Sequence, residues 1–327
     1  MACLGTPRRF VLVAVCLVGL VGCAARPKLW VFTAPWDARS DSALAAGVAP
    51  RATIVSGWIS LDSLGGAPVS LFDDALRDDA ERRGPRFALV TSYRGDRFHP
   101  EAVRALAQDV QARQRAATTL EVMVRAGAYA GVVLDLEALE PADTTALAVV
   151  VGSLSAAAKR GGAREVAIAV PALDTVAYAA RILLPHVDRL LVMLYDQHWL
   201  GSEPGPVAAR DWARAALTDW VAVAGADRVV AALPVYGYHW RAGVPTDIVG
   251  WSDVQRLSRE WGRATVRDSA SGSLRLQLGV TGGDVWLADG PLVAQLSLDA
   301  RALGVRTVAL WRLGLEDPAV WTAVGAR

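Results

Sequence analysis

Two carboxylates stand two residues apart at the end of an apolar run, Asp135 and Glu137 in the segment GVVLDLE. Side chains alternate between the two faces of a strand, so Val133, Asp135 and Glu137 would share one face, with the carboxyls roughly 6–7 Å apart. Like charges at that distance favour keeping one carboxyl protonated, which is the state that a general acid requires. The same pattern also fits a solvated acidic strand end that leads into Glu140 and Asp143.

The elements around this pair follow a regular alternation of short apolar runs and longer amphipathic stretches, which predicts βαβ units and a parallel sheet. We predict a (β/α)₈ TIM barrel, in which the carboxyl ends of the strands form the active-site face. A doubly wound open sheet is the alternative, but no Gly-rich phosphate-binding turn follows the first strand. The predicted strands are Leu29–Thr33, Thr53–Trp58, Phe87–Ser92, Gly131–Glu137, Val166–Pro171, Leu190–Tyr195, Val229–Tyr236 and Thr307–Trp311.

One stretch, residues 241–290, breaks this alternation. Its segment GSLRLQLGVTGGDVWLADG is typical of short antiparallel strands with Gly turns, after a helix around Ser252–Gly262. We predict a small α+β insertion after the seventh strand. Elsewhere apolar residues recur at three- and four-residue spacing, which predicts helices at Pro100–Ala126, Thr144–Arg160, Ala208–Ala224 and Gly290–Leu303.

The N-terminal residues are typical of a targeting segment. Arg8 and Arg9 precede an apolar run, Phe10–Val21, that is too short to span a bilayer but fits a secretory signal. The following LVGC resembles the lipobox of bacterial lipoproteins, which implies that Cys23 is lipidated; an ordinary signal peptide or membrane anchor is the alternative. We predict a signal peptide over residues 1–23, a mature domain over residues 24–327, and a lipid-anchored location in the bacterial cell envelope.

Composition disfavours several functions. The 34 basic and 33 acidic residues are interspersed, with a net charge of +1 and no basic stripe for nucleic acid. All three cysteines lie at or before position 23, so the mature domain holds no disulfide, and the four histidines lack the spacing of metal ligands. We expect a monomer without metal, cofactor or nucleic-acid partner.

Four segments, in order, resemble the motifs of glycoside hydrolase family 18. GVVLDLE is similar to the Asp-x-x-Asp-x-Asp-x-Glu motif of the fourth strand, and MLYD resembles the Met-x-Tyr-Asp of the sixth. LPVYG and VALW resemble the seventh and eighth strands, and QHW with GSEPGP resembles the spore-cortex-lysin and YaaH-like branch. The motifs cover most of residues 28–321. Ala130 and Val133 replace the first two motif aspartates, and Val133 places an apolar wall under Asp135.

The resemblance implies retaining cleavage of β-1,4-linked N-acetylglucosamine polymers, with the acetamido group of the sugar as nucleophile. Glu137 would protonate the leaving oxygen. Asp135 would accept a hydrogen bond from the acetamide N–H, and Tyr195 would donate one to the acetamide oxygen. Asp196 would assist beside them, and Trp311 would stack under the sugar ring.

Further residues are predicted to contact the glycan. Trp36 and Trp58 lie where they could line a groove, although packing explains each as well. Tyr236 ends the seventh-strand motif. His198 and Trp199, after the sixth strand, fit either a substrate contact or a structural hydrogen bond.

The resemblance also implies that the insertion forms one wall of the groove, with Trp286 or Asp289 near its edge. Three functions remain open at this point: an exported glycosidase acting on peptidoglycan or chitin-like glycan, a glycan-binding lipoprotein that has lost turnover, and a scaffold of a cell-wall complex. Val133, in place of an aspartate, is the feature that favours the second, and a scaffold would show no affinity for sugar.

Overall fold

A computed structural model describes residues 28–46, 52–61, 68–72 and 84–325; Cys23 and the targeting segment lie outside these residues. The strands are β1 (Lys28–Phe32), β2 (Thr53–Ser60), β3 (Val69–Ser70), β4 (Arg86–Thr91), β5 (Tyr93–Arg94), β6 (Arg97–Phe98), β7 (Gly131–Asp135), β8 (Glu165–Pro171), β9 (Arg189–Met193), β10 (Val229–Pro234), β11 (Gly237–Arg241), β12 (Val244–Val249), β13 (Val266–Arg267), β14 (Leu274–Gln277), β15 (Asp284–Leu287) and β16 (Thr307–Trp311). The helices are α1 (Ala38–Ala45), α2 (Pro100–Gln108), α3 (Val110–Ala126), α4 (Thr144–Arg160), α5 (Ala180–Leu183), α6 (Arg210–Ala224), α7 (Trp251–Trp261), α8 (Gly279–Gly282), α9 (Gly290–Ala302) and α10 (Val320–Ala323).

Eight of the described strands close into a parallel barrel. Their order is β1-β2-β4-β7-β8-β9-β10-β16, and β16 pairs back to β1. The closed barrel confirms the predicted fold class and excludes the open doubly wound sheet. Each predicted barrel strand is present, with its ends displaced by at most two residues.

The predicted helix Pro100–Ala126 is wrong in one respect, because it is two helices, α2 and α3, broken at Asp109. Asp109 adopts an extended backbone, and its carboxylate accepts hydrogen bonds from the N–H groups of Gln111 and Ala112. An Asp side chain at such a position caps a new helix start. The apolar periodicity continues across the break and therefore gave no sign of it.

The interior of the barrel is filled by large side chains at its amino end. The Trp30 and Phe87 rings meet edge to face with centroids 5.0 Å apart. A Cβ on Gly131 would lie 2.4 Å from the Phe87 ring, so only glycine fits on β7 at this level. A second apolar layer lies between the strands and the helices and includes Leu134 of β7 and Leu147 of α4. The stretch Pro141–Arg160, which contains α4, is long and apolar enough to cross a membrane, but its buried residues belong to this layer.

The insertion follows the carboxyl end of β10 and therefore lies on the carboxyl face of the barrel. Five described strands form its antiparallel sheet, in the order β12-β11-β15-β14-β13, and α7 packs against that sheet. It begins at Gly237, where a Cβ would lie 1.9 Å from the carbonyl oxygen of Trp286. Arg39 of α1 donates a 2.8 Å hydrogen bond to Asp253 of α7, which connects the barrel to the insertion.

Candidate active site

The centre of the site is a carboxyl pair, Asp135 and Glu137, at the carboxyl end of β7. Val133 and Asp135 face the barrel interior, and Leu136 faces the helices. The strand ends at Asp135, two residues earlier than predicted, so Glu137 lies in the loop that follows. Tyr178 holds this loop by donating a 2.9 Å hydrogen bond to the carbonyl oxygen of Leu136. The loop thereby brings the Glu137 carboxyl back to Asp135.

The two carboxyls lie close enough for each to affect the ionisation of the other, and both remain partly exposed. Burial raises the pKa of Asp135 to about 6, against an ordinary value of 3.8. Burial and then the negative charge of Asp135 raise the pKa of Glu137 well above its usual range. Of the two carboxyls, Glu137 is therefore the one that keeps its proton to the higher pH.

Thr91, the last residue of β4, is the other polar partner of Asp135. Its hydroxyl donates a 3.0 Å hydrogen bond to Oδ2 of Asp135, and the two residues are register partners across β4 and β7. Thr91 was not among the site residues predicted from the sequence. The alternation of side chains along β4 could have indicated it, because Phe87 and Leu89 point into the barrel and Thr91 follows them at the same two-residue spacing.

Tyr195 and Trp311 face each other across the site. Their rings are nearly parallel, at 16° with centroids 6.4 Å apart. Tyr195 follows β9, and Trp311 ends β16, where the Trp311–Arg312 peptide bond is cis. Both rings are partly exposed, so each presents a face to the opening of the barrel. Burial and then the charge of Glu137 raise the pKa of Tyr195 well above its usual range, which keeps its hydroxyl a hydrogen-bond donor.

Asp196 lies beside Tyr195 with its backbone at a φ of 57°. Its Oδ1 accepts hydrogen bonds from the hydroxyls of Tyr236 and Tyr238, the latter at 2.8 Å. Tyr238, on the first strand of the insertion, was not predicted. The two tyrosines bind one side of the Asp196 carboxylate and hold it beside the carboxyl pair. The negative charge of Asp196 is one cause of the raised pKa of Glu137.

The predicted aromatic residues of barrel strands one and two are also brought to the site. Trp36 is 51% exposed and contacts Trp58 edge to face at 4.6 Å, and Trp58 contacts Trp311 at 6.1 Å. The guanidinium of Arg312 lies 5.7 Å from the centre of the Trp36 ring and donates a 2.9 Å hydrogen bond to Asp37. The exposed Trp36 ring is therefore linked to Trp311 through the buried Trp58.

His198 and Trp199 lie farther out, on the loop after β9. Nδ1 of His198 is 2.9 Å from the carbonyl oxygen of Glu203, and the Trp199 ring packs over Gly201. Their described contacts stay within the loop and favour a structural role, although Trp199 is 53% exposed. Ser202 of the same loop accepts a 3.0 Å hydrogen bond from Trp240 of the insertion.

The insertion meets the site through Trp286, which packs with Tyr236, Tyr238 and Trp240. The expectation named Trp286 or Asp289, and of the two the Asp289 side chain is buried. It forms an ion pair with Arg267 and caps α9. Within the described ranges, no group of three or more His, Cys, Asp or Glu side chains is placed to hold a metal ion.

Comparison with known proteins finds related sequences and folds. The chain is 25% identical over 253 residues to YvbX of Bacillus subtilis, an uncharacterised glycosylase, covering 73% of each chain. A chitinase from Chromobacterium violaceum superposes with a TM-score of 0.82 at 24% identity, over 92% of this chain and 98% of that one. The spore cortex-lytic enzyme SleL of Bacillus megaterium gives a TM-score of 0.81 at 14% identity, over 92% and 73%. No family model matches the chain.

Proposed function

We propose that the chain belongs to glycoside hydrolase family 18 and cleaves β-1,4-linked N-acetylglucosamine glycan, either peptidoglycan or a chitin-like polymer. The carboxyl pair carries the proposal, because two half-buried carboxyls that share one proton provide an acid beside a base. The sequence similarity to a glycosylase and the folds shared with a chitinase and a spore cortex-lytic enzyme support this substrate class.

In the proposed reaction, protonated Glu137 donates its proton to the glycosidic oxygen as the bond to the anomeric carbon breaks. The acetamide oxygen of the same sugar attacks that carbon, so no enzyme nucleophile is needed. Asp135 accepts a hydrogen bond from the acetamide N–H and balances the positive charge of the oxazolinium ion. Glu137, now ionised, then takes a proton from the water that opens this ring.

The remaining site residues orient the sugar. The Tyr195 hydroxyl donates to the acetamide oxygen, and Trp311 stacks against the C–H face of the ring. Asp196 accepts a hydrogen bond from a sugar hydroxyl on the side of its carboxylate that Tyr236 and Tyr238 leave open. Trp36 extends the stacking surface along the groove. These contacts hold the acetamide oxygen near the anomeric carbon, which lowers the entropic barrier to its attack.

Turnover by the domain, residues 24–327, tests the proposal. We expect it to release products from peptidoglycan or chitooligosaccharides, identified by mass, and to leave matched glucose oligomers intact because they lack the acetamido nucleophile. Asp135→Asn and Tyr195→Phe should impair turnover. Cleavage of the glucose oligomers would contradict the substrate-assisted mechanism.

A glycan-binding protein without turnover is the second candidate, and the fully buried Val133 favours it because no carboxyl lies under Asp135. In that case N-acetylglucosamine oligomers bind to the wild type and are not cleaved at any pH. The LVGC segment further supports a protein held in the cell envelope by a lipid on Cys23, with the barrel exposed to cell-wall glycan.

A further inference from the structure

The two described residues directly beneath Asp135, Val133 on its own strand and the register partner Leu89 on β4, are both buried and apolar. The groups that favour ionised Asp135 are the Glu137 carboxyl and the Thr91 hydroxyl, and among the described residues no cation forms an ion pair with it. A half-buried carboxylate with so few partners depends strongly on each hydrogen bond.

The hydroxyl of Thr91 is oriented to donate. Its oxygen accepts a 2.9 Å hydrogen bond from the backbone N–H of Tyr93, which leaves its proton for Oδ2 of Asp135 at 3.0 Å. Thr91 is itself fully buried, and the branched Cβ of threonine restricts its χ1 rotation. The carboxyl torsion of an aspartate is intrinsically broad. A rigid donor on the neighbouring strand therefore selects one orientation of the Asp135 carboxyl.

We infer that Thr91 is a positioning residue that holds Asp135 ionised and turned toward Glu137, in place of the carboxyl that Val133 has removed. The inference rests on the proposed function. If so, the Asp135 carboxyl keeps one orientation throughout the reaction, since Val133 and Leu89 below it offer no second hydrogen-bond partner. The Thr91 hydroxyl on β4 thus takes the place of a carboxyl at position 133 on β7.

The test compares Thr91→Val, which keeps the shape and removes the hydroxyl, with Thr91→Ser, which retains the hydroxyl. Thr307→Val is the matched control, because Thr307 is also a buried threonine on a barrel strand and its hydroxyl has no hydrogen-bond partner. For each variant we would measure kcat, KM and the pH profile on chitooligosaccharides. The pKa of Asp135 would be measured by carboxyl ¹³C NMR, with Asp135→Asn assigning the signal.

We expect Thr91→Val to lower kcat about 10- to 100-fold with little change in KM. The acid limb of its profile should move to higher pH, because Asp135 loses a donor to its ionised form. Thr91→Ser should restore both values, and Thr307→Val should match the wild type. If Thr91→Val does not fold, Thr91→Cys supplies a weak donor of similar size.

An unchanged kcat and acid limb in Thr91→Val, or an equal loss in Thr91→Ser, would overturn the inference. Failure of the proposed function looks different, since the wild type itself would then show no turnover. The NMR titration still decides the role of Thr91 in that case. A higher Asp135 pKa in Thr91→Val supports positioning by Thr91, and an unchanged pKa contradicts it.

Discussion

At the scale of single residues, the chemistry depends on where one proton resides. The Asp135 and Glu137 carboxyls are close enough to share it, and burial together with the charge of Asp135 keeps it on Glu137. An acid that is still protonated at neutral pH can serve as the donor to a leaving oxygen. This requires Asp135 to be ionised while Glu137 is not.

Replacing Glu137 by Gln removes the proton donor and preserves the shape of the side chain. Turnover should fall about 10²–10⁴-fold while binding of N-acetylglucosamine oligomers is nearly unchanged. Steady-state kinetics and calorimetry on the same preparation would measure both. Glu260→Gln, an exposed substitution on α7 of identical chemistry, is the control. Equal activity of the wild type and Glu137→Gln would exclude Glu137 as the acid.

The carboxyl pair also makes the stability of the fold dependent on pH. Asp135 has a pKa of about 6 when folded and an ordinary value of 3.8, so the folded state binds more protons between these values. Stability therefore falls as pH rises through this window, and the still higher pKa of Glu137 extends the fall to higher pH.

Glu137→Gln should consequently be more thermostable than the wild type at pH 7, by about a few degrees, and similar to it at pH 4. Thermal unfolding followed by circular dichroism at both pH values measures this difference. The difference in thermal stability between Glu260→Gln and the wild type should not increase from pH 4 to pH 7. A Glu137→Gln protein that is less stable at pH 7 would show that burial does not disfavour the ionised pair.

At the scale of elements, the site forms because strands of different sequence end at the same level. Thr91, Asp135 and Trp311 are the last residues of β4, β7 and β16, and Tyr195 lies two residues beyond β9. Parallel strands in a barrel bring their carboxyl ends to one face.

The break between α2 and α3 offers a measurable example. Asp109→Ala should lower the free energy of unfolding by about 0.5–2 kcal/mol, because the N–H groups of Gln111 and Ala112 lose their acceptor. Asp109→Asn retains an acceptor and should cost less. Denaturant unfolding of both variants checks the difference, and an Ala variant as stable as the Asn variant would mean that the cap contributes nothing.

At the scale of the whole molecule, a row of aromatic contacts crosses the opening of the barrel. It begins at Trp36 and continues through Trp58, Trp311 and Tyr195 to the insertion. Tyr236, Tyr238 and Trp240 complete it on the far side. Trp36, Tyr195 and Trp311 expose part of their rings, and the other members of the row are buried. Arg39 of α1 connects the barrel to the insertion on the far side.

We propose that the first residues determine the position of the whole molecule in the cell. Changing Cys23→Ala should release the protein from membranes or leave its precursor uncleaved, because the lipid attachment site is lost. Membrane fractionation and mass analysis of the mature N-terminus measure this. The barrel should fold equally well in both forms. A wild-type protein that is soluble and starts elsewhere would refute lipidation.

The sequence alone determined the barrel and most of the site. Strand and helix periods are properties of the local backbone, so alternating apolar runs sufficed to predict eight strands, and the motifs they carry indicated Glu137, Asp135, Tyr195 and Trp311. The alternation also showed that Asp135 lies on the same face as Val133. These conclusions needed no knowledge of which strands become neighbours.

Only the tertiary structure decided which side chains meet. Thr91 reaches Asp135 because β4 and β7 pair in one register, and Tyr238 reaches Asp196 because the insertion folds back over the barrel. The choice between Trp286 and Asp289 was decided in the same way, since Asp289 pairs with Arg267 of β13 and Trp286 packs with Tyr238. Such pairings depend on strand register and barrel closure, which are set by contacts summed over the whole chain and are absent from any local pattern.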